Sequence, residues 1–141
     1  MTATYEATGH TRTPYEVGLS VLRRPAHTIA RLSGELDVAT APALRERLAA
    51  LLRLRMPLLV LDLSGVSFCD AAGLAVLIGA QRRATPLGTT LRLVAPRSQV
   101  AKVLHVTGLD RSLKIHRTLA DALARPRTRN ATAARLPIFR P

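Results

Sequence analysis

The segment Asp62-Leu63-Ser64-Gly65-Val66-Ser67-Phe68-Cys69-Asp70-Ala71-Ala72-Gly73-Leu74 gathers the residues best placed for chemistry. It joins an apolar run to a helical one. Asp70 falls where a helix N-cap belongs, so its carboxylate can accept from the free N–H groups of the first turn. Ala71, Ala72 and Gly73 keep that turn small, which lets another molecule approach the backbone closely. A helix start also favours anions. Spacing alone favours Asp70 as a plain cap. Gly73 has the alternative use of packing close to a strand.

Other chemistries can be weighed against the same residues. Cys69 precedes the helix start, a place that lowers a thiol pKa. A phosphatase-like loop would then want Arg six residues on, and that residue is Ala75. Cys69 therefore reads as a small buried apolar residue. The four His, at positions 10, 27, 105 and 116, share no metal-ligand spacing with each other or with Cys69, so no metal is expected. His105 reads as sitting near a helix carboxyl end, where a cation is favoured. Neither GxxxxGK nor GxGxxG occurs, and no cofactor is expected. Ser64 and Ser67 are the hydroxyls nearest to Asp70. Ser67 alternates with Val66 and Phe68 and reads as packed inward, while Ser64 reads as making a local turn bond to backbone. No catalytic set emerges, and the sequence does not read as that of an enzyme.

Strands and helices alternate around this segment. Val17–Arg23 and Thr28–Leu32 read as a hairpin broken at Arg24-Pro25-Ala26. Thr40 is placed to cap a helix, with Pro42 in its first turn. Leu44, Leu48, Leu51 and Leu52 then fall on one helical face. Leu58–Leu63 suits a central strand buried on both faces. After a short loop, Asp70 opens a helix over Ala71–Arg83, and Thr85-Pro86-Leu87-Gly88 is a turn. Leu91–Val94 is a strand. Ser98 is placed to cap a helix through His105, which Gly108 stops. Leu113–His116 is a short strand, and Thr118 caps a last helix, Leu119–Ala124. The pattern predicts an α/β fold, a mixed but mostly parallel β-sheet of four to five strands with about four α-helices. Partners of such folds tend to meet the carboxyl ends of the strands.

Length and composition set the frame. The 141 residues suffice for one domain. Residues 17–124 read as that domain, 1–16 as a disordered N-terminal arm and 125–141 as a basic C-terminal tail. Apolar residues make up 48% and aromatics 3%, so the core must be Leu, Val, Ile and Ala. The single Cys permits no intramolecular disulfide, which fits a reducing compartment. The N-terminus has neither the basic nor the apolar part of a secretory signal. Ala71–Ala80, the longest apolar run near mid-chain, is about half of the roughly 20 residues a membrane span needs. A cytoplasmic protein without membrane insertion is expected. The net charge is +12. From Val17 to Ala124 there are 15 Lys and Arg against 7 Asp and Glu, and residues 125–141 add five Arg and no acid. The excess favours an acidic partner surface or weak attraction to nucleic acid, or reflects a solvated Arg-rich surface. No aromatics interleave with the basic residues, and no helix-turn-helix or zinc module appears, so nucleic acid is not the expected partner.

DLSGVSFCDAAGLAVL resembles the signature of STAS domains in bacterial anti-sigma factor antagonists. The resemblance runs from about Val17 to Ala124. It includes Gly34-Glu35-Leu36-Asp37, Gly88 with Leu91–Val94, and Val103-Leu104 through Thr107-Gly108-Leu109-Asp110 to Leu113-Lys114-Ile115. It implies a STAS-like single domain. It also implies a partner: an anti-sigma factor that is itself a protein kinase, from which the antagonist frees a sigma factor. In that family the kinase phosphorylates a Ser just after the loop Asp and so releases the antagonist. Carried over, Asp37, Asp70, Ala71, Ala72, Gly73 and Leu74 would form the partner-binding face. This sequence departs from the pattern at Ala71, and neither Ala71 nor Ala72 has a hydroxyl. Three readings follow: a permanently active antagonist, a scaffold or decoy that binds without being switched, or, ranked below these, a switch at Ser64 or Ser67. A STAS subunit of a larger signalling or transport assembly and a basic nucleic-acid-binding protein stand as alternatives. The sequence leaves the oligomeric state open.

Overall fold

Apolar alternation sets the two faces of the sheet. The computed structural model describes residues 6–7 and 16–124. Its strands are β1 (Glu6–Ala7), β2 (Gly18–Arg23), β3 (Thr28–Leu36), β4 (Leu58–Cys69), β5 (Thr90–Val94) and β6 (Lys114–His116). They lie side by side in sequence order. β1, β2 and β3 pair antiparallel, and β3 to β6 pair parallel. The expected mixed, mostly parallel sheet is thus present, as five strands plus the two-residue β1. β1 falls within the segment read as an arm. The remainder of 1–15 and the tail 125–141 lie outside the described residues.

Four helices cover the sheet: α1 (Ala41–Leu52), α2 (Ala71–Ala84), α3 (Ser98–Val106) and α4 (Leu119–Ala124). Leu44, Leu48 and Leu52 of α1, Leu77 and Ala80 of α2, and Val100 and Leu104 of α3 pack with Leu32, Leu59, Leu61 and Leu93 on one face. On the other face Leu22, Ile29, Leu58, Val60 and Val94 pack with Ala122 and Leu119 of α4. β4 is central, and Leu58, Leu59, Val60, Leu61 and Leu63 are all buried. That is why its sequence is apolar without alternation. Each crossover returns to a parallel strand, so α1, α2 and α3 all begin at the carboxyl end of the strands.

Three local expectations need correcting. Residues Ser64–Cys69 are not a loop but the second half of β4. β3 likewise extends to Leu36 and supplies their partner. The pairing slips between Arg31 and Ser33 and again between Gly34 and Glu35, and these bulges absorb the extra residues of β4. Gly34 takes φ 105° at the second slip, which a side chain would resist. Thr40 does not cap α1 with its side chain. Its hydroxyl donates to the Glu35 carbonyl at 2.9 Å and accepts from the Asp37 N–H at 2.9 Å. Ser98 is the first residue of α3, and Arg97 holds the cap position without a side-chain bond. Thr118 does cap α4, accepting from the Asp121 N–H at 3.0 Å.

A buried cation fastens α4. Arg92 on β5 is 2% exposed, and its Nη1 donates to the Ala122 carbonyl. A guanidinium at a helix carboxyl end meets free carbonyls and the negative end of the helix dipole. Arg92→Ala removes this donor and leaves a carbonyl without its partner. Urea unfolding of that variant is expected to show a loss of about 1–3 kcal/mol, and unchanged stability would mean that α4 is held by its apolar contacts alone.

Candidate functional site

The parallel pairing of β3 with β4 brings two acidic turns together. Leu36 pairs with Cys69, so Asp37 and Asp70 each follow the last residue of adjacent strands. The Asp70 N–H donates to the Leu36 carbonyl at 3.0 Å, extending the ladder by one bond. The chain then turns into α2.

Asp70 closes that turn. Its Oδ1 accepts from the Ala72 N–H at 2.9 Å and the Gly73 N–H at 3.1 Å. Two of the free donors of the first turn are thereby satisfied. Asp37 does the same job in its own turn. Its Oδ1 accepts from the Ala39 and Thr40 N–H groups, each at 3.0 Å, and its carbonyl accepts from the Ala41 N–H at 2.9 Å. Thr40, itself buried, ties the same turn to Glu35. Both turns are braced from within, so the surface they form needs little ordering on contact.

The six residues assigned to this face divide. Ala71 is exposed, and Asp37, Asp70 and Ala72 are partly so. Gly73 and Leu74 are buried. A Cβ built on Gly73 would lie 2.5 Å from the Leu36 carbonyl oxygen and 2.7 Å from the Leu36 Cβ. The glycine therefore serves the close seating of α2 on β3, and Leu74 belongs to the core. These two support the surface from beneath.

Two residues that the sequence reading passed over stand at the same end of the sheet. Val38 is 74% exposed between Asp37 and Ala39, and Phe68 is 40% exposed two residues before Asp70. Glu35 pairs with Phe68 across the strands. The available signal was the placement of Phe68, one of only two Phe in the chain, beside the helix start. Ser67 is exposed rather than packed inward, because the bulge in β4 turns it out. Its hydroxyl reaches the Gly34 carbonyl only at 3.4 Å. Ser64 makes its local bond through its N–H, to Asp62 Oδ1 at 2.9 Å, while its carbonyl accepts from Arg97 Nε at 2.9 Å.

Nucleophilic chemistry is not supported at Cys69. The thiol is buried, and burial with the neighbouring Asp70 carboxylate pushes it up to about 11. The effect of the helix start on the thiol is outweighed by loss of water. Among the described residues no three His, Cys, Asp or Glu side chains come together as a metal site. His105 and His116 instead contact Asp110 and Asp121, each at 2.9 Å. A groove of about 360 Å³ lies elsewhere, between β2 and α1, lined mainly by Leu19, Val21, Ala50, Leu51 and Leu54 with Arg47. No helix among the described residues is long and apolar enough to cross a membrane.

Two outcomes follow for this end of the molecule. Gly73→Ala should destabilise the fold by about 1–3 kcal/mol, the range for forcing a methyl into a filled contact, and unchanged stability in urea would show that α2 can lift from Leu36 freely. Cys69 should resist alkylation at pH 8 in the native protein and react at the rate of an ordinary thiol once unfolded. Rapid native labelling would contradict its burial.

Comparison with known proteins places this architecture. The STAS domain family model matches residues 19–122. The anti-sigma-F factor antagonist RsfB of Mycobacterium tuberculosis is 30% identical over 112 residues, which covers 78% of this chain and 89% of that protein. The anti-sigma-B factor antagonist of Bacillus subtilis is 33% identical over 78 residues, covering 55% of this chain and 71% of that one. An anti-sigma factor antagonist from Mycobacterium paratuberculosis has a crystal structure that superposes with a TM-score of 0.71 at 31% identity, over 80% of this chain and 96% of the other. Family match, relatives and superposition agree, and the chain belongs to the STAS domain family, among the anti-sigma factor antagonists.

Proposed function

We propose that this protein binds an anti-sigma factor of the serine-kinase type and so frees a sigma factor, and that it does so without the usual release by phosphorylation. The observation that carries the reading is the exposed start of α2. Ala71 faces solvent directly after the Asp70 cap and has no hydroxyl to accept a phosphoryl group. Ala72 has none either. A phosphate at such a place would add close to two negative charges beside an acidic side chain, enough to break a close contact. Here that charge cannot be added at residues 71–72, and the contact persists.

The docking surface in this reading comprises Asp37, Val38, Phe68, Asp70, Ala71 and Ala72. The exposed apolar pair, Val38 and Phe68, supplies area that gains from being covered. The carboxylates at the rim would set orientation against a basic patch on the partner. The small side chains at 71 and 72 let the partner approach the helix backbone. The exposure of Ser67 gives a second reading some footing: a kinase reaching this face would find one accessible hydroxyl three residues before Asp70.

Ala71→Glu tests the surface. A carboxylate is tolerated in the first turn of a helix, and the position is exposed, so the melting temperature should stay within a degree or two. With wild-type protein as bait in lysate of the native host, an anti-sigma factor with a kinase domain should be captured, and its affinity for the variant should drop at least about ten-fold, as expected when one close interfacial contact is replaced by an unpaired charge. Equal affinity for both proteins would remove this turn from the interface. Incubated with that partner and ATP, the wild-type protein should show no phosphate on the 64–72 segment by mass spectrometry. Phosphate on Ser67 or Ser64 would replace the unswitched reading with the switched one.

A further inference from the structure

The domain has two poles of opposite charge. Chain direction places the turn after β2, the segment after α1, the turn after α2 and the segment after α3 all at the amino end of the parallel strands. Pairing confirms their closeness: Arg23 faces Thr28, Thr28 faces Leu59, and the Thr89 hydroxyl donates to the Met56 carbonyl at 2.7 Å. Arg23 and Arg24 stand exposed at the first of these places, and Arg53 and Arg55 at the second. Arg82 precedes the third, and Arg111 and Lys114 flank the fourth, all three again exposed. Among the described residues the acid at this end is Asp110, already in contact with His105 at 2.9 Å. The opposite end carries Glu35, Asp37 and Asp70 against Arg97 and Arg117, while Asp62, further down β4, stands beside Arg31 of β3. The chain leaves α4 at the basic pole, and the next seventeen residues contain five Arg and no acid.

Exposed apolar side chains follow the same axis. Val38 and Phe68 lie at the acidic pole, as described above. Leu54, 50% exposed, Val106, 73% exposed, and the more covered Leu123 lie at or just beyond the carboxyl ends of α1, α3 and α4, hence at the basic pole. Some of the basic charge offsets helix carboxyl ends. Arg23, Arg24 and Lys114 belong to strands or a hairpin turn, and no helix end accounts for them.

We propose that the basic pole docks on an anionic phospholipid surface and holds the acidic pole away from it. Guanidinium groups match phosphate geometry with paired hydrogen bonds. Aliphatic side chains set among them fit the headgroup layer of a bilayer, where apolar contact and charge act together. Nucleic acid would share the phosphate chemistry but not the use of Leu54 and Val106. Among the described residues the aromatic side chain, Phe68, stands at the other pole, so none of them offers bases a stacking platform at the basic one. This inference does not depend on the partner proposed above, since it concerns the opposite end.

The test uses the full chain and no partner. Sedimentation with vesicles of one part phosphatidylglycerol to two parts phosphatidylcholine at 0.1 M salt should carry the protein down, and pure phosphatidylcholine vesicles should not. Arg24→Ser combined with Arg111→Ser should reduce the partition about 30-fold, taking about 1 kcal/mol per basic residue near such a surface. Val106→Ser alone should reduce it further than it reduces binding to a DNA duplex. The proposal is overturned if vesicle binding is absent, if the double variant binds vesicles as well as wild type, or if a duplex of random sequence competes the protein off the vesicles at equal phosphate concentration. Circular dichroism melts of the variants, expected to match wild type, keep loss of fold from passing as loss of binding.

Discussion

The first turn of α2 rests directly on the carbonyl of Leu36, and the shape of this end of the molecule depends on that contact. Space there allows no side chain, so residue 73 is glycine. The Asp70 N–H bonds to the same carbonyl that the glycine packs against. The helix is thereby locked to the end of β3, and its open N–H groups turn inward to the Asp70 carboxylate. With residues 73 and 74 committed to the inside, residues 71 and 72 are the ones turned outward. The geometry that seats the helix also decides which two side chains of its first turn reach solvent, and both are alanines.

Asp37 and Asp70 carry out parallel tasks at the two strand ends. Each uses one carboxylate oxygen to close a turn of backbone N–H groups. Such turns are stiff because the bonds are local and partly shielded from water. A stiff surface loses little entropy on association, which suits a protein whose task is recognition. Val38 and Phe68 are the exposed large apolar side chains near the same strand ends. The other exposed large apolar side chains among the described residues sit at the far pole among arginines.

Much of this was legible in the sequence because it rests on local signals. The apolar stripe at Leu44, Leu48, Leu51 and Leu52, the continuous run at Leu58–Leu63 and the cap at Asp70 each follow from spacing of a few residues, and each is present. What was not legible depended on pairing between distant segments. The extension of β4 through Ser64–Cys69 requires β3 to run on beside it, and the bulges that permit this leave no local mark except Gly34 and Gly65. The inward reading of Ser67 failed for the same reason, since a slip in register exchanges the faces of a strand. Thr40 had the right residue type for a cap, but its hydroxyl is engaged by the Glu35 carbonyl and the Asp37 N–H, on the side away from the helix. The burial of Arg92 has no local mark, because it comes from α4 covering it. Gly73 carried both a functional and a packing reading, and only the distance to Leu36 separates them.

The docking surface proposed at the outward start of α2 lacks only the hydroxyl that would make it switchable. Ala71→Ser restores that single atom at a position that is exposed and beside an intact cap. Mixed with its kinase-type partner and ATP, this variant should gain one phosphate at residue 71, at the serine oxygen, and then leave the complex, while wild type stays bound. If the variant binds as tightly as wild type yet takes no phosphate at residue 71, the helix start does not face the partner's active site and the account is wrong.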